Sequence, residues 1–264
     1  MTASNEEAQV GLTCSLKTGK EISMSKLNFK ILFLGFILIL VGCEGNVEDP
    51  VIPAGVTDPG ELTQRAFQKQ EIGAYEEAIE ILDKALEIDP KFVPAHYRIA
   101  LVYEEWDQRK EAITAYQHTL NIDPNHIDAR LGLASAYGKS FKNELAILEY
   151  EKATKLKPTD PEIHFKIALE YWYLQKLPET AEHYRKVIEL SPDHLQAHLN
   201  LASVYEHMKE WDKSLKEIAI SLQLGKQTGN QQAISIAENK LLFLKGRMNL
   251  TEEEMERKTK PPFN

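Results

Sequence analysis

The sequence predicts an all-α protein wound as a solenoid, and three sets of recurring residues predict it. Prolines at Pro90, Pro124, Pro158 and Pro192 stand 34 residues apart. Alanines at Ala66, Ala100, Ala134, Ala168 and Ala202 keep that step, as do tyrosines at Tyr103, Tyr137, Tyr171 and Tyr205. A fixed period of this length marks an array whose units bury their apolar faces only against their neighbours. Such arrays offer extended surfaces, which favours binding over catalysis as the class of function.

Within one unit, Val93 to Trp106 carries apolar residues at helical spacing, and a polar break follows at Asp107 to Arg109. Lys110 to Ile122 is a second amphipathic run, with Ala112, Ile113, Tyr116, Thr119 and Leu120 on one face. Asp123-Pro124 ends it, because the residue before a proline is pushed out of the α region. The aliphatic column Ile99, Leu133, Ile167 and Leu201 recurs at the same step.

These residues resemble the tetratricopeptide repeat (TPR). Its pattern of a small residue, then Tyr, Ala, an aromatic, Ala and Pro reads Ala134, Tyr137, Ala146, Tyr150, Ala153 and Pro158 in the third unit. The second unit has Ala100, Tyr103, Ala112, Tyr116, Thr119 and Pro124. The first keeps Ala66, Ala78, Leu82, Ala85 and Pro90, with Arg65 and Lys69 replacing an aliphatic residue and Tyr, which suits an end unit. The fifth has Lys226 in the Pro position. The resemblance covers residues 59–228 and implies five helix-turn-helix units. Residues 229–246, with Ile234, Ala237, Leu241 and Leu244 at helical spacing, read as a C-terminal capping helix. Residues 247–264 read as a charged, flexible tail.

At the other end, Lys26 and Lys30 precede Ile31 to Val41, an apolar run interrupted only by Gly35. A bilayer span needs about 20 apolar residues, so this run has instead the length of a signal-peptide core. Leu40-Val41-Gly42-Cys43 resembles the lipobox of bacterial lipoproteins, which implies cleavage before Cys43 and its acylation. An ordinary cleaved signal wants small residues three and one before the cut, and Leu40 argues against that. Residues 1–23 contain Glu6, Glu7 and Glu21, unlike a basic leader, so Met24 is the candidate start, 24–42 the signal peptide and 43–58 the lipidated Cys and a flexible tether.

The chain has a formal net charge of −9; losing four basic and three acidic residues with the leader would leave 27 and 37, a charge of −10. That disfavours nucleic acid, whose recognition rests on basic patches. Removal of Cys14 and acylation of Cys43 would leave no free thiol, so stability must come from helix packing. His96, His164 and His198 share one repeat position and His126 and His194 another, so register accounts for them without a metal. No phosphate loop, nucleophile elbow or Cys-His pair is present, and the expectation is a non-enzyme without cofactor.

The resemblance also implies that the first helix of each unit lines a concave groove. Mapped onto this sequence, the groove positions are Tyr97, Leu101 and Glu104; Leu131, Ser135 and Gly138; Phe165, Leu169, Trp172 and Tyr173; and Leu199, Ser203 and Glu206. An apolar, aromatic strip rimmed by Glu104, Glu105, Glu170 and Glu206 suits a peptide or protein segment. Gly132 and Gly138 lie inside the first helix of the third unit: either a gap beside Ser135 and Gly138 lets a partner approach closely, or the glycines are tolerated at a helix end, Gly138 especially. Thr63, Tyr97, Leu131 and Leu199 stand where a carboxylate-binding Lys would sit, which argues against capture of a C-terminal carboxylate.

The function expected is a membrane-anchored periplasmic adaptor in an envelope assembly, pilotin-like in type IV pilus or secretion biogenesis. A scaffold for peptidoglycan enzymes is the alternative, and an enzyme or carrier with an unrecognised site is the rival from another class. Glu44, directly after Cys43, is a near match to the Asp that retains lipoproteins in the inner membrane, and the outer membrane is favoured.

Overall fold

The computed structural model describes residues 58–260, and these form twelve α-helices with no strand among them. Five pairs come first: α1 (Pro59–Glu71) with α2 (Tyr75–Ile88), α3 (Val93–Glu105) with α4 (Arg109–Ile122), α5 (Ile127–Lys139) with α6 (Asn143–Leu156), α7 (Pro161–Tyr173) with α8 (Leu177–Leu190), and α9 (Leu195–His207) with α10 (Trp211–Thr228). Then come α11 (Gln231–Met248) and α12 (Glu252–Thr259). Each pair packs on the next, so the molecule is the all-helical solenoid that the period predicts. The expected leader with Met24, Cys43 and the tether as far as residue 57 lie outside the described residues, as do residues 261–264.

Small side chains let the helices approach. Ala66, Ala100, Ala134, Ala168 and Ala202 are each 0% exposed. In the second helices the column Ala78, Ala112, Ala146, Thr180 and Ser214 is buried throughout, and Leu82, Tyr116, Tyr150, Tyr184 and Ile218 fill the space beside it. Bulk and smallness alternate across facing positions, which is how a helical interior reaches crystal-like density.

Local chemistry sets the breaks. Asp89, Asp123, Lys157 and Ser191 are the C-caps of α2, α4, α6 and α8, all with φ between −141° and −123°, each ahead of a proline. Where Lys226 replaces that proline, α10 runs on to 18 residues against 14 in α8 and stops only at Gly229, in the left-handed region at φ 67°. Inside each unit the first helix ends on a left-handed residue: Gly73, Asp107, Phe141, Gln175 and Lys209. The following amide closes the turn onto the first helix, as Lys142 N–H does on the Tyr137 carbonyl at 2.9 Å.

Two histidines in one register are helix caps. His126 and His194 accept hydrogen bonds at Nδ1 from the amides of Ala129 and Ala197, each at 3.2 Å, where Asp58 and Asp160 cap α1 and α7. The C-terminal segment differs from the flexible tail expected for residues 247–264. Arg247 and Met248 complete α11, and Thr251 with Glu254 forms a capping box that starts α12. Met255 is buried against α10, and Lys258 Nζ meets Asp212 at 2.5 Å.

Candidate partner-binding groove

Three cavities run along α5, α7 and α9 and meet at Leu169, Trp172 and Tyr173. The first, about 340 Å³, is bounded by Ser135 and Gly138 of α5, Leu169, Glu170 and Tyr173 of α7, and Asn143 and Tyr150 of α6. The second, about 270 Å³, lies between Leu169, Trp172, Tyr173, Tyr184, Asn200 and Ser203. The third, about 480 Å³, has Trp172, Tyr173, Gln175, Leu177 and His207 around it. Tyr173 is 70% exposed, while the Trp172 ring lies edge-on to His207 at 4.9 Å.

Of the expected groove residues, Ser135, Gly138, Leu169, Trp172, Tyr173 and Ser203 come together here. Tyr97, Leu101 and Leu131 are half-buried against the core around Tyr116 instead, outside these three cavities. Phe165 packs edge-on to Tyr184 at 5.5 Å and stacks on His194 at 5.1 Å. Leu199 is only 5% exposed, so it is a core residue rather than a wall of the groove.

The acidic rim is largely internal. Glu104 accepts from Tyr116 Oη at 2.5 Å and from Lys139 Nζ at 2.7 Å, and Glu206 pairs with Lys240 of α11 at 2.9 Å. Burial and then the Glu104 carboxylate hold the Tyr116 phenol above its ordinary range, while burial pushes Tyr184 up to about 12. Glu170 is not on the rim: it is 9% exposed and forms the floor of the first cavity.

The space directly over each glycine is filled, while the first cavity opens beside Ser135 and Gly138. A Cβ on Gly132 would stand 2.4 Å from Tyr116 Cζ, and one on Gly138 would stand 2.4 Å from Glu170 Oε1. Each glycine therefore admits a side chain of a neighbouring unit. Phe141, Asn143 and Tyr150 belong to the site and were not expected there. A signal for Phe141 was present: it is aromatic in a turn column otherwise made of Gly73, Asp107, Gln175 and Lys209.

Elsewhere, two helix-facing positions hold acid–base pairs in the third and fifth units. Arg130 meets Glu149 at 2.8 Å and His198 meets Glu217 at 2.6 Å. In the fourth unit these positions are His164 and His183, with Nδ1 atoms 3.2 Å apart beside a cavity of about 530 Å³. Burial, then the neighbouring imidazole, lowers His183 from 6.5 to about 4, and burial with Lys186 lowers His164. A depressed folded-state value means that the unfolded chain takes up the proton first, so stability should fall as pH drops from 6.5 toward about 4. After allowance for partial solvent exposure the loss should be about 2 kcal/mol. Urea midpoints at pH 7 and pH 4.5 should show His183→Gln losing less than the parent, and equal losses would dismiss the pair as the cause. Among the described residues no group of three His, Cys, Asp or Glu is placed to hold a metal, and no helix is long and apolar enough to cross a membrane.

Comparison with known proteins agrees with this architecture. Family models described as TPR repeat match residues 71–105 and 142–175, and models described as tetratricopeptide repeat match 93–126 and 165–226. Comparison with curated proteins yields no match. Among solved structures the chain is similar to YrrB, described as a TPR protein with an unusual peptide-binding site, at 22% identity and TM-score 0.57, covering 70% of this chain and 92% of that one. It is also similar to a MamA protein, at 20% identity and TM-score 0.60, covering 66% and 94%. MamA from Desulfovibrio magneticus RS-1 matches at 17% identity and TM-score 0.59, covering 66% and 97%. With the repeat models spanning 71–126 and 142–226, more than half of the chain, and the same helix pairs in the structure, the chain belongs to the tetratricopeptide repeat family.

Proposed function

We propose that this protein is a non-enzymatic adaptor lipoprotein, anchored by acylated Cys43 in the bacterial outer membrane and facing the periplasm, whose groove holds a peptide segment of an envelope assembly. The observation that carries the reading is the joined set of cavities at Leu169, Trp172 and Tyr173, with Tyr173 70% exposed. An exposed aromatic beside half-buried apolar neighbours is the usual make-up of an interface anchor. The peptide-binding site for which YrrB is described supports the same use of this fold. The lipobox-like Leu40-Val41-Gly42-Cys43 supports the anchor, and a pilotin-like role in type IV pilus or secretion biogenesis fits an anchored adaptor of this architecture.

Trp172→Ala should weaken capture of the segment crosslinked to Tyr173 by at least about 2 kcal/mol. Its thermal midpoint should stay closer to the parent's than that of Tyr171→Ala, whose ring packs on His183 at 5.5 Å. Retention of every crosslinked partner by a folded Trp172→Ala protein would remove the groove as the working surface. A separate test addresses the anchor. Burying acyl chains contributes about 0.8 kcal/mol per CH₂ and several chains hold stably, so Cys43→Ser should move the protein from the membrane to the soluble fraction. Normal processing and unchanged membrane fractionation of that variant would end the lipoprotein reading.

A further inference from the structure

Glu170 stands in a register that its neighbours fill with apolar side chains. The residues one period away are Ala136 and Val204, exposed by 3% and 1%, and two periods away stands Val102, exposed by 0%. A carboxylate at a core position is costly unless it is paired. The other deeply buried carboxylate in these helices, Glu149, meets Arg130 at 2.8 Å and Lys152 at 2.6 Å. Among the described residues no cation pairs with Glu170; its Oε2 accepts one hydrogen bond, from Asn143 Nδ2 at 2.7 Å. Burial pushes its carboxyl above the ordinary range, with Asn143 and Lys166 pulling back.

The surroundings of this carboxylate match one class of occupant. Oε1 fills the space over Gly138, where any Cβ would collide with it, so glycine there keeps the carboxylate at the cavity floor. Above it the walls include Tyr150, Tyr173 and Phe141. Phe141 is 87% exposed although its φ of 58° is a conformation that bulky side chains adopt at a cost. Aromatic walls over a carboxylate attract a cation through both the ring faces and a charge-assisted hydrogen bond. An anion would be repelled, and an apolar group would leave Glu170 buried without a counter-charge. Two lysines also line the cavity: Lys139 is held by Glu104 at 2.7 Å, whereas Lys166 is exposed, one helical turn before Glu170, and competes for it.

We infer that the cavity over Glu170 sets the specificity of the groove, taking the arginine or lysine side chain of a partner peptide whose flanking apolar residues lie against Leu169, Trp172 and Tyr173. This rests on the groove being a peptide site, and one experiment separates the two claims. Random dodecapeptides displayed on phage are selected on the full chain, and the enriched sequences are synthesised. They should share an arginine or lysine between apolar residues. Replacing arginine by citrulline, which keeps the shape and loses the charge, or lysine by norleucine, which keeps the stem and loses the ammonium, should weaken binding by about tenfold or more, as for hydrogen bonds to charged groups. Glu170→Gln, with melting and circular dichroism as the check on folding, should erase the difference between the charged and neutral peptides. Lys166→Met should tighten the charged peptide only. Enriched peptides that depend on Trp172 but bind equally well in charged and neutral form overturn the inference and leave the groove standing. Enrichment of no peptide that depends on Trp172 overturns both. The charged-to-neutral exchange needs no variant of the protein, so a Glu170→Gln chain that fails to fold does not shelter the idea.

Discussion

Tyr116→Ala should lower stability by roughly 3 to 5 kcal/mol, the range for removing a fully buried aromatic ring. Tyr116 is 1% exposed, its ring lies against the bare backbone of Gly132, and its hydroxyl donates to Glu104 at 2.5 Å. The void left behind would border a glycine with no side chain to move in, which places the cost toward the upper end. For about 200 ordered residues this corresponds to a fall in the thermal midpoint on the order of 10 °C. The partner position offers an internal check. Gly132→Ala should destabilise the parent, although helix propensity by itself favours alanine by about 1 kcal/mol. In the Tyr116→Ala background the same change should lose that penalty, because the ring it strikes is gone. A Tyr116→Ala protein that melts with the parent would mean that the ring is not packed against Gly132.

Ala134→Leu tests the other half of the packing rule, in which small residues mark the closest helix approaches. Ala134 is 0% exposed and sits in the core cluster with Tyr116, Leu133, Tyr137, Ala146 and Tyr150. Three added carbons have no cavity to enter, so helices must separate or side chains must leave their rotamers, at roughly 1 to 3 kcal/mol. Each unit contacts only its neighbours, so a disturbance in the third unit weakens its interfaces with the second and the fourth. Circular dichroism should show a helical protein with a lowered midpoint, and a shallower transition would indicate that the halves no longer melt together. An unchanged midpoint would mean that the alanine column does not mark close contacts.

The parts of the fold legible in the sequence were those governed by local rules or by identical neighbours. Pro90, Pro124, Pro158 and Pro192 stop helices through the restricted residue before each, and Lys226 in the fifth unit lets α10 continue. The alanine and tyrosine columns announce packing positions because every unit meets its neighbour in the same way. The groove was legible only in outline. Leu169, Trp172 and Tyr173 meet at the joined cavities, but Leu199, one period from Phe165, is buried, and the acids of the rim are mostly spent on Lys139, Lys240 and Tyr116.

By itself, then, the sequence determined the period, the helix pairs, their breaks and the small residues at their crossings, since each of these depends on residues within one unit or on a repeated contact. Tertiary structure decided which departures from the repeat face one another. Tyr116 fills Gly132, Glu170 fills Gly138, and Thr251 with Met255 turns an apparent tail into α12 on α10. The physical reason is that a side chain's cost or use depends on what the adjoining unit places against it, and a glycine, a glutamate or a methionine standing out of register does not carry that neighbour in its own stretch of chain.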